Sequence, residues 1–308
     1  MLACRALSKG SGSARRLVLR AAAKVNLTLE VLGKRADGYH EIATVMQAVD
    51  LSDRISLDDA DDLELRSDSA NVPTDPSNLA WRAATALKAA AGIERGVHIA
   101  LDKRIPVAAG LGGGSSDAAG VLLGLNRLWR LQWPLGRLDE VAATLGSDVP
   151  FFLRGGAALA SGRGEKIEPL KGRSMALVLV NPKFPSSTAE MYGRLTPAMY
   201  SDGAATRALA GAVGRSPARI ATSLYNGMEA AAAAVFPQIV QMRAALLAAG
   251  ALGALMSGSG PTVFGVARSY EQARQIRARV ARGSWECWAV RTLTGPAVRL
   301  VANGARRG

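Results

Sequence analysis

Apolar positions change their spacing segment by segment, and the spacing predicts the elements. Over 17–31 they alternate, as strand structure does. The run Arg35-Ala-Asp-Gly38 carries Asp-Gly, a hairpin signal, and 42–49 and 54–57 read as further strands before an acidic turn over 58–62. Asp75-Pro-Ser-Asn78 precedes a helix over 79–91, and a strand follows over 97–101. Apolar residues then recur at helical spacing at Ala118, Val121, Leu122, Leu125, Leu128 and Trp129. Another helix is expected over 136–145, followed by a Pro-Phe-Phe strand beginning at Pro150. Glycines 155, 156, 162 and 164 predict bends, with a boundary between two units somewhere in 155–174. From Met175 the order reads strand, helices (188–195, 206–213, 224–249), strand (253–256), strand (262–267), helix (270–281), strand (286–291). Pro237 splits or kinks the longest helix. That β-α-β-β-α-β order, with extra helices in the first crossover, is a ferredoxin-like pattern.

Between the strand over 97–101 and the helix at Ala118 lies Pro106-Val-Ala-Ala-Gly-Leu-Gly-Gly-Gly-Ser-Ser-Asp117. A glycine-rich loop that opens a helix offers the orphan N–H groups of the first turn, and the helix dipole adds roughly half a positive charge there. Gly110, Gly112, Gly113 and Gly114 have no side chains to hold a ligand off the backbone, so the loop can cradle phosphate. Ser115 and Ser116 sit where helix caps sit. No Gly-Lys-Ser/Thr follows, so this is not a Walker A loop. No acidic residue ends a second strand about 20 residues on, so it is not the dinucleotide fingerprint. A flexible linker is the plain alternative, and the flanking strand and helix argue against it.

Composition narrows the function. A chain of 308 residues, 49% apolar, can build one large or two ordinary domains. Two cysteines, Cys4 and Cys287, imply no disulfide framework and point to the cytoplasm. No Cys/His cluster has metal-ligand spacing, and no apolar run reaches the roughly 18 residues of a membrane span. The formal net charge of +13 suits polyanionic partners. Nucleic acid is the weaker reading, because aromatics are scarce and do not interleave with a basic stripe.

Three further sites could carry chemistry. Lys24 lies among small and apolar residues and is either a snorkelling surface residue or a placed charge. Asp148 follows a helix end, as a turn residue or as a partly desolvated base. Ser257-Gly-Ser-Gly-Pro-Thr262 links two strands, as a plain hairpin loop or as a second wall closing on a substrate.

Ala23-Lys-Val-Asn-Leu27, Arg35-Ala-Asp-Gly-Tyr-His-Glu41, Pro106-Val-Ala-Ala-Gly-Leu-Gly-Gly-Gly-Ser-Ser-Asp-Ala-Ala119, Leu145-Gly-Ser-Asp-Val-Pro-Phe-Phe152 and the Ser257–Thr262 run occur in this order. Together they resemble the GHMP kinases, over about residues 18–295. The resemblance implies an α+β, two-domain fold: an N-terminal ATP-binding α/β domain like a ribosomal protein's and a C-terminal ferredoxin-like domain. The resemblance implies a nucleotide-binding domain at 18–160 and a C-terminal domain at 161–298; outside them, composition reads as a basic, disordered extension at 1–17, with a short organelle transit peptide as the weaker alternative, and a basic tail at 299–308. The implied activity is transfer of phosphate from ATP, with Mg²⁺, to an alcohol. The Asp-Gly-Tyr-His turn resembles the cytidine-binding turn of members that serve the non-mevalonate isoprenoid route. The expected partner is therefore a small molecule with a cytidine diphosphate group, with no nucleic acid and no membrane, and the protein a monomer or weak dimer. A mevalonate or homoserine kinase, or an RNA-binding protein, are the alternatives.

By the same resemblance Lys24 and Asp148 form the catalytic pair. Pro106, Val107, Ala108, Ala109, Gly110, Leu111, Gly112, Gly113, Gly114, Ser115 and Ser116 hold the nucleotide, with Asn78 and Lys103 near the adenine and Ser116 or water helping Mg²⁺. Asn26 positions the pair or the acceptor, Tyr39 packs on the cytosine and His40 bonds to it, Thr188 lines the acceptor pocket, and Tyr192 falls where the family puts an aromatic against the cytidine. No protein metal ligand is assigned, and His98 is left as structural. Ala22 stands where the family often has proline.

Overall fold

The computed structural model describes residues 16–281 and 284–301. Nearly all of the basic extension expected at 1–17 and most of the tail expected at 299–308 lie outside them, as does Cys4.

β1 (Arg16–Lys34) and β2 (His40–Ala60) form a long antiparallel hairpin around the Asp37-Gly38 turn. Burial does not alternate along β1: every residue from Ala21 to Val31 is buried. α2 (Gly113–Leu128) covers one part of the strand and the C-terminal unit another. Leu19 and Ala21 pack with α2, Val25 and Leu27 with Leu177 and Phe264, and Leu29 and Val31 with Val178 and Met256. One strand therefore runs through all three cores.

The two strands expected over 42–49 and 54–57 are the single strand β2. Its second edge is shared: 42–47 pair with β5 (Ala157–Gly162) and 54–60 with β4 (Gly96–Asp102). β3 (Leu63–Ser67) runs parallel to β4, and β6 (Lys166–Leu170) pairs with β5. β8 (Tyr225–Asn226) and β12 (Val298–Leu300) return to β1 and complete an eight-stranded sheet. Domain limits set at 160/161 and 298/299 cut through β5 and β12, because both segments belong to this larger sheet.

α1 (Leu79–Ala91), α2 and α3 (Leu135–Leu145) follow their sequence pattern. α2 lies close on the sheet, since a Cβ at Gly120 or Gly124 would fall 2.4 Å from Ile55 or 2.3 Å from Leu57. Ser115 and Ser116 are not caps. α2 starts at Gly113, its N-cap is Gly112 at φ 71°, and both serines lie in the first turn. The Pro-Phe-Phe stretch is helical rather than extended, in α4 (Val149–Arg154). Proline suits a first helical turn, where its missing N–H is no loss, and Phe151 and Phe152 are buried edge to face.

The second sheet holds β7 (Ala176–Asn181), β9 (Gly253–Met256), β10 (Val263–Ala267) and β11 (Glu286–Arg291), antiparallel in the order β11-β7-β10-β9. This is the ferredoxin-like arrangement, with α10 (Tyr270–Val280) as its second crossover helix. α5 (Thr188–Gly193), α6 (Ala204–Ala210), α7 (Pro217–Ala221), α8 (Glu229–Val235) and α9 (Gln238–Ala248) fill the first crossover. Pro237 separates α8 from α9 with a bend of 115°. Among the described residues no single helix is long and apolar enough to cross a membrane.

Candidate active site

The glycine loop between β4 and α2 is threaded between α4 and the β9–β10 turn. A Cβ on Gly110 (φ 76°) would lie 2.2 Å from the Ser257 carbonyl oxygen, and one on Gly112 would lie 2.8 Å from the Phe152 ring. Four hydrogen bonds hold the loop, one of them from the Thr262 N–H to the Ala109 carbonyl (3.4 Å). Ser257 Oγ donates to the Gly110 carbonyl (2.9 Å), the Ser186 N–H to Ala108 (2.9 Å) and the Lys24 N–H to Leu111 (3.0 Å). The loop and the N-terminal turn of α2 open on a cavity of about 980 Å³. The unpaired N–H groups and positive dipole end of α2 suit phosphate there.

Lys24 is a placed charge, not a surface residue. Its side chain is 6% exposed, its Nζ donates to Asn26 Oδ1 at 2.6 Å, and it lies 3.3 Å from Asp148 Oδ2. Asp148 stands at the N-cap position of α4, but its carboxylate makes no capping bond. That leaves it free toward Lys24 and the cavity, which it lines. The Ser257–Thr262 run is both a hairpin connection and a wall. A Cβ on Gly258 would be 3.3 Å from Lys24 Nζ, and Gly258 and Ser259 line the cavity.

Beside the loop Lys103 Nζ is held by two buried carboxylates, Asp53 and Asp117, the latter at 2.5 Å. Asp53 also accepts the N–H groups of Arg104 and Ile105. Burial pushes the Asp117 carboxyl up to about 7; the Lys103 ammonium pulls it down and the charge of Asp53 adds to the rise. Asp117 Oδ1 is buried with no protein partner.

At the far end His40 and Tyr192 face each other with ring centroids 5.2 Å apart, and Tyr200 meets His40 edge-on at 6.1 Å. Burial holds the His40 imidazole below its usual pKa, and the charge of Lys34 adds to this, so a neutral ring is favoured. Burial, with the charge of Asp148 behind it, raises the Tyr192 phenol. Thr188 Oγ1 lies 2.9 Å from Ser259 Oγ.

Most of the expected site residues line this one cavity. Leu111 and Ser116 do not. Leu111 is in the core, and Ser116, fully buried, donates its hydroxyl to the Ala22 carbonyl at 2.7 Å instead of facing a metal. Asn78 reaches the cavity wall, but its amide caps α1 through the Ala80 N–H and donates to Pro73. Tyr39 is on the rim, 54% exposed, with the Arg163 guanidinium 4.8 Å over its ring. The aromatic facing His40 is Tyr192, from a helix about 150 residues away in sequence. Sequence reasoning missed Asp117, Arg163, Tyr200 and Ser259 as lining residues. Asp117 and Ser259 stood inside quoted motifs; Arg163 and Tyr200 carried no local signal.

Comparison with known proteins identifies the family. The GHMP kinases N terminal domain matches residues 78–156 and the GHMP kinases C terminal domain matches 208–286. A 4-diphosphocytidyl-2-C-methyl-D-erythritol kinase of Pelotomaculum thermopropionicum is 46% identical over 276 residues, covering 88% of this chain and 96% of its own. The enzyme of that name from Geobacter metallireducens is 46% identical over 291 residues, covering 90% and 99%. A crystal structure of 4-(cytidine 5'-diphospho)-2C-methyl-D-erythritol kinase superposes with a TM-score of 0.76 at 37% identity, over 90% of this chain and 99% of that one. A homoserine kinase of Cytophaga hutchinsonii shares the fold, with a TM-score of 0.74 at 20% identity over 94% and 99%. The chain belongs to the GHMP kinases, a family of ATP-dependent small-molecule kinases.

Proposed function

We propose that this kinase phosphorylates the 2-hydroxyl of 4-diphosphocytidyl-2-C-methyl-D-erythritol with ATP, a step of the non-mevalonate route to isopentenyl diphosphate. The observation that carries the reading is a single cavity. It joins the phosphate loop, the Lys24–Asp148 pair and the His40–Tyr192 aromatic end, so one acceptor can reach all three. Relatives named as kinases of that acceptor support the reading.

Asp148 takes the proton of the acceptor hydroxyl. The freed oxygen pair bonds to the terminal phosphorus as the phosphorus–oxygen bond to ADP breaks. Lys24 keeps its positive charge beside Asp148 and beside the charge in transfer. A positioned base of this kind supplies about 10²–10⁴ in rate, and the rest comes from alignment and charge stabilisation. When bound with ATP, Mg²⁺ would supply neutralisation of phosphate charge beside the glycine loop. The unpartnered Oδ1 of Asp117 beside the loop fits a nucleotide that brings its cation. At the far end, an aromatic face and a neutral imidazole suit a planar base.

The test is ATP consumption by the purified protein with the cytidyl acceptor, with mevalonate and with homoserine. Turnover with the cytidyl acceptor alone is expected. Preference for either of the other two removes the reading.

A further inference from the structure

We propose that Thr44 is a positioning residue: it fixes the side-chain amide of Asn26 and, through it, aims the Lys24 ammonium at Asp148. The role assigned to Thr44 rests on the reading of Lys24 and Asp148 as the reacting pair. Thr44 is fully buried on β2 and is absent from the cavity wall, so it touches no substrate.

Its influence follows from proton counting. A threonine hydroxyl has one proton to give, and Thr44 gives it to the Thr28 carbonyl. Toward Asn26 it can then only accept, and Asn26 Nδ2 donates to it at 2.8 Å. The amide is thereby turned so that Oδ1 faces the other way, where Lys24 Nζ donates at 2.6 Å. The reverse orientation sets an NH₂ group against an ammonium, two sets of donors with no acceptor. The site lies at the slip in β1–β2 pairing between Asn26 and Thr28. Donation runs in one direction along each link: ammonium to amide oxygen, amide nitrogen to hydroxyl, hydroxyl to backbone. Buried chains of this kind hold a single arrangement because every alternative leaves a buried group unpaired.

Thr44→Val keeps the shape and removes the acceptor; Thr44→Ser keeps the hydroxyl. With the cytidyl acceptor, Thr44→Val should lower kcat by about tenfold or more with both KM values within about twofold, and Thr44→Ser should restore kcat to within about threefold. In an Asn26→Ala background, Thr44→Val should cost less than about twofold, because a residue acting only through Asn26 has nothing left to act on. The double variant also removes the orphaned amide, so it tests the idea if Thr44→Val alone folds poorly. An unchanged kcat, or a full loss that persists without the Asn26 amide, overturns the proposal. A crystal structure of Thr44→Val decides it without turnover. Lys24 shifted away from Asp148 supports the proposal, and an unmoved Lys24–Asn26–Asp148 arrangement overturns it. If the wild-type enzyme does not use the cytidyl acceptor, the proposed function fails, and that crystal structure still judges Thr44.

Discussion

Lys24 and Asp148 are close but unequal. The lysine is buried and twice partnered, whereas the carboxylate is partly open to the cavity. Charge held in place favours a transition state more than a ground state. Asp148→Asn should therefore lower kcat by about 10²–10⁴ with ATP binding retained; single-turnover rates and calorimetry with ATP check both halves. Lys24→Met should likewise act on kcat, and a rise in KM alone makes it a binding residue. At the far end the structure reorders the aromatic contributions. Tyr192 faces His40 inside the cavity, whereas Tyr39 is on the rim beneath Arg163. Stacking on a base is worth about 1–3 kcal/mol, so Tyr192→Ala should weaken acceptor binding by about 5- to 150-fold. Tyr39→Ala should weaken it less, and neither should change ATP binding. Equal losses for the two return Tyr39 to the base-stacking role.

Among the elements, the glycine loop has the tightest surroundings. Gly110 is at positive φ, and its missing Cβ would meet backbone atoms of Ser257 and Gly260, which cannot swing aside as a side chain can. Gly110→Ala should cost about 1–3 kcal/mol in strain and loosen the contact between the loop and the β9–β10 turn. Thermal unfolding should show the first effect and weaker ATP binding the second. Gly136, in the first turn of α3 with open space around its Cα, is the control: alanine there should leave ATP binding unchanged and stability equal or slightly raised. The loop was legible in the sequence because a run of glycines between a strand and a helix is a local pattern. The starts of α2 and α4 were misread because a cap or a first turn depends on which neighbours take up its N–H groups.

In the whole molecule, β1 joins every core, and the Asp53–Lys103–Asp117 cluster joins β2, the β4–α2 connection and α2. Asp117 keeps its proton to about 7 in the folded chain, whereas an unfolded aspartate releases it near 4. Folding thus takes up a proton between those values, and this group's contribution to stability falls as pH rises from about 4 to about 7. Asp117→Asn should flatten that dependence, with a difference of roughly 3–4 kcal/mol between the ends of the window. Chemical denaturation of both proteins across the window reads it. Parallel pH curves show that Asp117 ionises normally.

The sequence by itself determined the β-α-β-β-α-β order of the C-terminal unit, though not α7 or β8 within its first crossover, the glycine-rich loop before a helix, the break at Pro237 and the motifs that mark the family. Each rests on spacing within a turn or two of helix or strand, or on a residue type with fixed backbone demands. It did not determine that 42–60 is one strand, that β5, β6 and β12 join the first sheet, or that Tyr192 rather than Tyr39 faces His40. Nor did it pair Lys103 with Asp53 and Asp117, or show that Ser257 meets the Asn26 backbone 231 residues away. Those outcomes depend on which distant segments share an edge or a face. A strand's free edge and a buried charge can accept many partners in principle. Only the packed chain, where each buried polar group must find a partner among its actual neighbours, selects one.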